Sequence, residues 1–120
     1  MGLTNVEVEL TNLAQQHPPF SASFLVDTGA IDCLAPAAAL KAAGVAVEVK
    51  ETLELADGAS KDFDYGFARI TVMGRQTVVP VVMGPDDAEP LLGVVALESL
   101  GLMVDPVNLT LRRVPAKPLK

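Results

Sequence analysis

Apolar and polar positions alternate with a period of two along most of this chain. Val6, Val8 and Leu10 alternate with Glu7 and Glu9, the signature of a half-buried strand. Beyond a polar loop with Pro18-Pro19, the positions Phe20, Ala22, Phe24 and Val26 repeat the pattern and run directly into Asp27. Alternation returns from Val45 to Leu55, and A-D-G-A-S then turns the chain. The Asp57-Gly58 pair inside it is a strong hairpin signal. A returning strand is predicted from about Phe63 to Met73, with a turn at Gly74-Arg75. In the next strand, Q-T-V-V-P-V-V-M, Pro80 lacks an N–H and calls for an edge or a bulge.

Helical spacing is confined to two short segments. In P-A-A-A-L-K-A-A-G, Pro36 suits a first helical position, alanine has the best intrinsic propensity, and Gly44 is a C-terminal stop. The second, V-V-A-L-E-S-L-G, follows the loop G-P-D-D-A-E-P and the triplet L-L-G, and ends at Gly101. L-M-V, an Asp105-Pro106 turn and a last strand V-N-L-T-L-R-R-V complete a mostly-β chain with two short helices. A faint internal echo links L-V-D-T-G-A to P-L-L-G-V, since in both an apolar run delivers a glycine ahead of a helix.

Composition narrows the classes of function. The 120 residues suit one domain spanning 1-120, with enough chain to bury a real core. Half the residues are apolar and the mean hydropathy is +0.38, yet no apolar run approaches the ~18 residues of a membrane span. The surplus hydrophobicity is therefore expected to bury itself against another chain, with no membrane partner. A formal charge of −6 argues against a nucleic-acid partner, which would require a basic face to displace counterions. Arg112, Arg113, Lys117 and Lys120 read as a solvated tail with Pro115 and Pro118. The N-terminal M-G-L-T-N-V-E-V-E-L has neither the basic start nor the apolar centre of a signal peptide, and the lone Cys33 suits a reducing compartment. A cytoplasmic location is the expectation.

The candidate chemistry centres on F-L-V-D-T-G-A, residues 24–30. Alone, D-T-G is a turn: Asp caps its own backbone, Thr adds a hydroxyl and Gly permits a positive φ. A solvent-facing turn needs no core-grade strand behind it, whereas a carboxylate that must be positioned does. L-L-G lies well downstream before a helix, with the Asp57-Gly58 hairpin between the two.

That order of motifs resembles the retropepsin-like (retroviral-type) aspartic proteases, in particular their small cellular and bacterial members. Phe24 to Ala30 matches the active-site loop, Leu53 to Gly66 the flap, and Leu91 to Gly93 the apolar-apolar-glycine signature before the C-terminal helix. The resemblance implies a single-lobe acid-protease β-barrel working as a homodimer on a peptide or protein substrate without a cofactor. Asp27 would be the catalytic carboxylate. Thr28 would hydrogen-bond to its copy across the two-fold axis, Gly29 would bring a backbone N–H close to the carboxylates, and Ala30 would lie beside the substrate backbone. Leu92 and Gly93 would pack beneath the loop, with Leu92 also a substrate-pocket candidate. The flap tip would be Ala56, Asp57, Gly58 and Ala59. The chain departs from the family at Ile31 and Val94, where retroviral members carry an aspartate and an arginine that pair, and its flap tip is polar rather than glycine-rich.

Other residues read more simply. His17 lies in a surface loop with no second histidine in the chain, and Cys33 is a core thiol rather than a nucleophile. Asp86, Asp87 and Glu89 form a solvated loop, not a metal site. Asp32 either lines a substrate pocket or caps the following turn. Two functional classes follow: an aspartic endopeptidase, or a dimerisation or peptide-binding module of the same fold with little or no hydrolysis.

Overall fold

The computed structural model describes residues 4–114. β1 (Asn5–Thr11) pairs antiparallel with β2 (Phe20–Val26), so the alternation seen in the sequence sends Val8 and Leu10 inward and Glu7 and Glu9 to solvent. β3 (Cys33–Pro36) follows the D-T-G loop and leads into α1 (Ala37–Ala42). β4 (Val49–Glu54), β5 (Ser60–Val72) and β6 (Arg75–Gly84) form a meander, with Gly66 of β5 facing Val81 of β6 in register. β7 (Leu91–Leu92) is a two-residue strand ahead of α2 (Val94–Leu100), and β8 (Leu102–Asp105) with β9 (Thr110–Arg113) makes a separate ribbon.

The main sheet runs β1-β2-β7-β3-β6-β5-β4, and pairing of β1 with β5 through Leu10↔Ile70 closes six of these strands into a barrel. Closure removes the free edges that an open sheet would expose. Inside lie Phe24, Leu10, Ile70, Val72, Val81 and Leu92, with Ala96, Leu97 and Leu100 of α2 sealing one end. β4 stays outside the ring as the outer arm of a hairpin on β5.

Several boundaries differ from the expectations for physical reasons. β3 is too short and too evenly apolar to show a period. It is threaded between β6, through Cys33↔Val81, and β7, through Leu34↔Leu91, and strands covered on both sides carry continuous apolar runs. Pro36 is the residue before the helix rather than its first turn. Pairing with Gly84 holds it extended at ψ 135°, and Asp86 Oδ1, 3.4 Å from the Ala38 N–H, serves the helix start instead. The β5–β6 turn is centred on Met73-Gly74, both with positive φ (52° and 79°), one residue earlier than expected. β9 begins at Thr110 rather than Val107, because Asp105 accepts hydrogen bonds from the Val107 and Asn108 N–H groups and wraps the chain into a longer turn. Arg112 and Arg113 are therefore exposed positions of a strand, while Lys117, Lys120, Pro115 and Pro118 lie outside the described residues.

Pro80 sits where the expectation put it: β3 reaches β6 only from Val81 onward, so Pro80 borders a stretch with one neighbour strand. The glycine stops also hold, with Gly44 at φ 83° and Gly101 at φ 69°. The α2 end receives help that composition did not reveal, from Arg75 Nη1 donating to Leu100 O at 2.9 Å and Gly101 O at 3.1 Å.

Candidate active site

β2 carries Asp27 to its position. The parallel partner β7 aligns Leu25 with Leu91 and Val26 with Leu92, and the Asp27 N–H donates to Leu92 O at 3.0 Å. On the other side the Val26 N–H donates to Thr4 O at 2.8 Å. The strand thus ends pinned from both flanks. The chain then turns, closed by the Ala30 N–H to Asp27 O at 3.1 Å, and the Gly29 N–H donates to Asp27 Oδ1 at 2.9 Å. Asp27 is half-buried, whereas Thr28 and Gly29 are exposed.

Gly29 is not in the left-handed region, so its glycine answers to proximity rather than to torsion. A Cβ there would stand 3.3 Å from Asp27 Oδ1, crowding the N–H contact. Gly93 answers to proximity too. A Cβ on it would lie 2.5 Å from Asp32 O and 2.7 Å from Ile31 O, both backbone atoms. With that space left empty, the start of α2 closes onto the loop: the Val94 N–H donates to Ala30 O at 2.9 Å and the Val95 N–H to Ile31 O at 3.1 Å. D-T-G-A and L-L-G, remote in sequence, form one hydrogen-bonded unit.

A scan against protein-family models finds no match, and no curated protein matches this sequence. Among solved structures, the chain is similar to the protease of simian foamy virus (mac), known from a solution structure. The TM-score is 0.57 and the identity 20 %, over 78 % of this chain and 91 % of the viral one. The fold is retropepsin-like.

Within that retropepsin-like frame, a cavity of about 410 Å³ opens beside the loop, walled by Gly29 to Asp32, by Leu53 and Glu54 of β4, and by Leu91. The end of β4 next to the β4–β5 turn therefore borders the cavity beside the loop. The hairpin tip, Ala56 to Ala59, lies beyond the cavity and is exposed. The tip turns through the Gly58 N–H to Leu55 O at 2.9 Å and the Ala59 N–H to Asp57 Oδ1 at 2.9 Å, with Gly58 at φ 87°. Leu92 is corrected as a pocket residue. Its side chain is fully buried in the core, and strand alternation presents Leu91 to the cavity instead.

Asp32 lines the cavity and accepts a hydrogen bond from Tyr65 Oη at 3.0 Å. Tyr65 was not legible as a site residue, because nothing in its sequence neighbourhood points across to Asp32. Burial first, and then the hydrogen bond and charge of Asp32 and the charge of Glu51, push the Tyr65 phenol up to about 12. Ile31, one of the two positions that depart from the retroviral pattern, is 72 % exposed. Cys33 is buried, and that burial chiefly pushes its thiol up to about 11, which suits an inert core residue. His17 stands in an exposed loop against Gly44. Among the described residues no group of three His, Cys, Asp or Glu side chains could hold a metal ion, and no helix is long and apolar enough to cross a membrane.

Proposed function

We propose that the protein is an aspartic endopeptidase that hydrolyses peptide bonds as a homodimer, using a water activated by two Asp27 carboxylates, one from each subunit. The observation that carries this reading is the Gly29 N–H at 2.9 Å from Asp27 Oδ1, on a loop bonded to β7 and α2. A mere turn needs the first contact but not the second set. In the chemistry, one carboxylate takes a proton from water while the other protonates the carbonyl oxygen. Two like charges held together share one proton, so the apparent pKa values belong to the pair. One chain carries a single D-T-G, and a second copy must supply the other acid. The exposed Thr28, Gly29 and Ile31 on this loop support such a pairing.

The test is Asp27→Asn, assayed on an unfolded protein mixture at about pH 4 to 6, with and without a statine-type inhibitor. The amide keeps size and hydrogen bonding but cannot accept the proton, and a homodimer loses both acids at once. Hydrolysis is expected to drop beyond the ~10²–10⁴-fold of one acid–base group, while sedimentation still shows a dimer. Equal cleavage by the variant refutes the role of Asp27, and a purely monomeric parent refutes the assembly. A second reading, a dimerisation or peptide-binding module, is favoured by the exposed polar hairpin tip. Its mark is a dimer that cleaves nothing yet gains stability on Asp27→Asn, because the amides remove a repulsion.

A further inference from the structure

Three aspartates among the described residues fold their carboxylates back onto the chain two residues ahead. Asp27 Oδ1 accepts from the Gly29 N–H, Asp57 Oδ1 from the Ala59 N–H and Asp105 Oδ1 from the Val107 N–H, each at 2.9 Å. Such a turn carries the carboxyl carbon Cγ toward the backbone nitrogen of the intervening residue. The nature of that residue then decides whether a bond can form. Pro106 has no N–H to give up. Thr28 is branched at Cβ, and its loop is closed by the Ala30 N–H to Asp27 O at 3.1 Å and tied to α2. Asp57 alone in the chain is followed by glycine.

The surroundings of Asp57 leave room for that bond. Leu55 to Ser60 are all exposed, and a Cβ built on Gly58 would meet nothing within 4 Å, so neither a ring nor an incoming water is obstructed. The Gly58 N–H donates to Leu55 O at 2.9 Å, but an exposed turn with no packed side chain opens readily. Gly58 sits at φ 87° and, without a Cβ, can leave that torsion for others at little cost.

We propose that Asp57 is a site of covalent self-modification, condensing with Gly58 to a succinimide that hydrolyses to isoaspartate at the tip of the β4–β5 hairpin. The Gly58 nitrogen bonds to Asp57 Cγ and gives up its hydrogen, the carboxyl gives up a hydroxyl, and one water leaves as the ring closes. Water then adds to either carbonyl of the ring. Opening at Cγ restores aspartate. Opening at the backbone carbonyl carbon leaves isoaspartate, with the main chain running through the side chain and a free α-carboxylate beside it. Mass is unchanged, one carboxylate remains, and nothing is oxidised or reduced. The rerouted main chain is one atom longer inside a turn closed by the Leu55 N–H to Ala59 O at 2.7 Å and the Gly58 N–H to Leu55 O, so the two bonds cannot both persist. The inference does not depend on the peptidase reading.

The test holds the full chain for several weeks at neutral pH and physiological temperature, then digests it and reads the separated peptides by mass spectrometry. A second peptide spanning Asp57, equal in mass to the first but separable from it, is expected to accumulate behind a species lighter by one water. Peptides spanning Asp27 and Asp105 should stay single. Gly58→Ala should slow the change several-fold, and Asp57→Glu should abolish it because the ring would need a sixth member. In the aged protein, hydrogen exchange at the Leu55 amide should quicken. No isomer at Asp57, equal accumulation at Asp27 or Asp105, an undiminished rate in Gly58→Ala, or an unquickened Leu55 amide in isomerised protein overturns the proposal.

Discussion

Replacing Gly93 by alanine adds one methyl group at the point where L-L-G backs onto the D-T-G-A loop. Gly93 has φ −90° and ψ 176°, a conformation any residue adopts, so the substitution carries no torsional penalty. Alanine would by itself stabilise the fold by roughly 0.4–1 kcal/mol through the unfolded chain. Against this, the new Cβ meets Asp32 O at 2.5 Å, Asp32 C at 2.7 Å and Ile31 O at 2.7 Å. All three are backbone atoms, and none can swing aside as the end of a flexible side chain would. Relief requires parting α2 from the loop, which lengthens the bonds from the Val94 and Val95 N–H groups to Ala30 O and Ile31 O. Overpacking of this kind costs about 1–3 kcal/mol, and lengthening two partly exposed hydrogen bonds adds a fraction of a kcal/mol. A net loss of about 2 kcal/mol is expected, or a fall in Tm of roughly 5–10 °C for a chain of this size. Urea unfolding followed by circular dichroism reads it as a midpoint lowered by about 1 M. Because the displaced atoms of Ile31 and Asp32 belong to the loop that begins at Asp27, the proposed hydrolysis should fall more than tenfold at temperatures where the variant is fully folded. A Gly93→Ala protein as stable as its parent would refute the close approach of L-L-G to the loop.

Two further outcomes are expected. Amide hydrogen exchange at Ala56 to Lys61 should be much faster than at Phe20 to Val26, since the tip is exposed while β2 is paired along its length with β1 and at its end with β7; comparable rates would remove the hairpin as a moving lid. Stability should decline above pH 9. Burial raises the Cys33 thiol from 9.0 to about 11, so the unfolded chain loses its proton first, and stability present below 9 is lost progressively up to 11. The Cys33 contribution is about 1.4 kcal/mol per pH unit in that window. Cys33→Ala should flatten the curve, and identical slopes for parent and variant would contradict the assignment.

The alternation of Glu7 and Glu9 with Val6, Val8 and Leu10, the alanine-rich helix, and the glycine stops at Gly44 and Gly101 were all legible locally. Each is settled by side-chain period or by a torsion that one residue needs. β3 and β7 were not, because strands of four and two residues carry too few positions to show a period, and their pairing with β6 and β2 is a long-range event. The same holds for Tyr65, whose partner Asp32 lies in the loop just before β3, and for Arg75, which bonds the end of a helix. Leu91 and Leu92 illustrate the limit well. Composition treats them alike, yet the register with Leu25 and Val26 buries Leu92 in the core and turns Leu91 toward the cavity.

By itself, then, the sequence determined where strands alternate, where helices stop and which carboxylate ends an apolar strand, because those depend on neighbours within a few residues. The closure of the barrel, the seating of Gly93 under the loop and the meeting of Asp32 with Tyr65 were decided only in three dimensions. They depend on backbone atoms brought within hydrogen-bonding or van der Waals reach by strands distant along the chain.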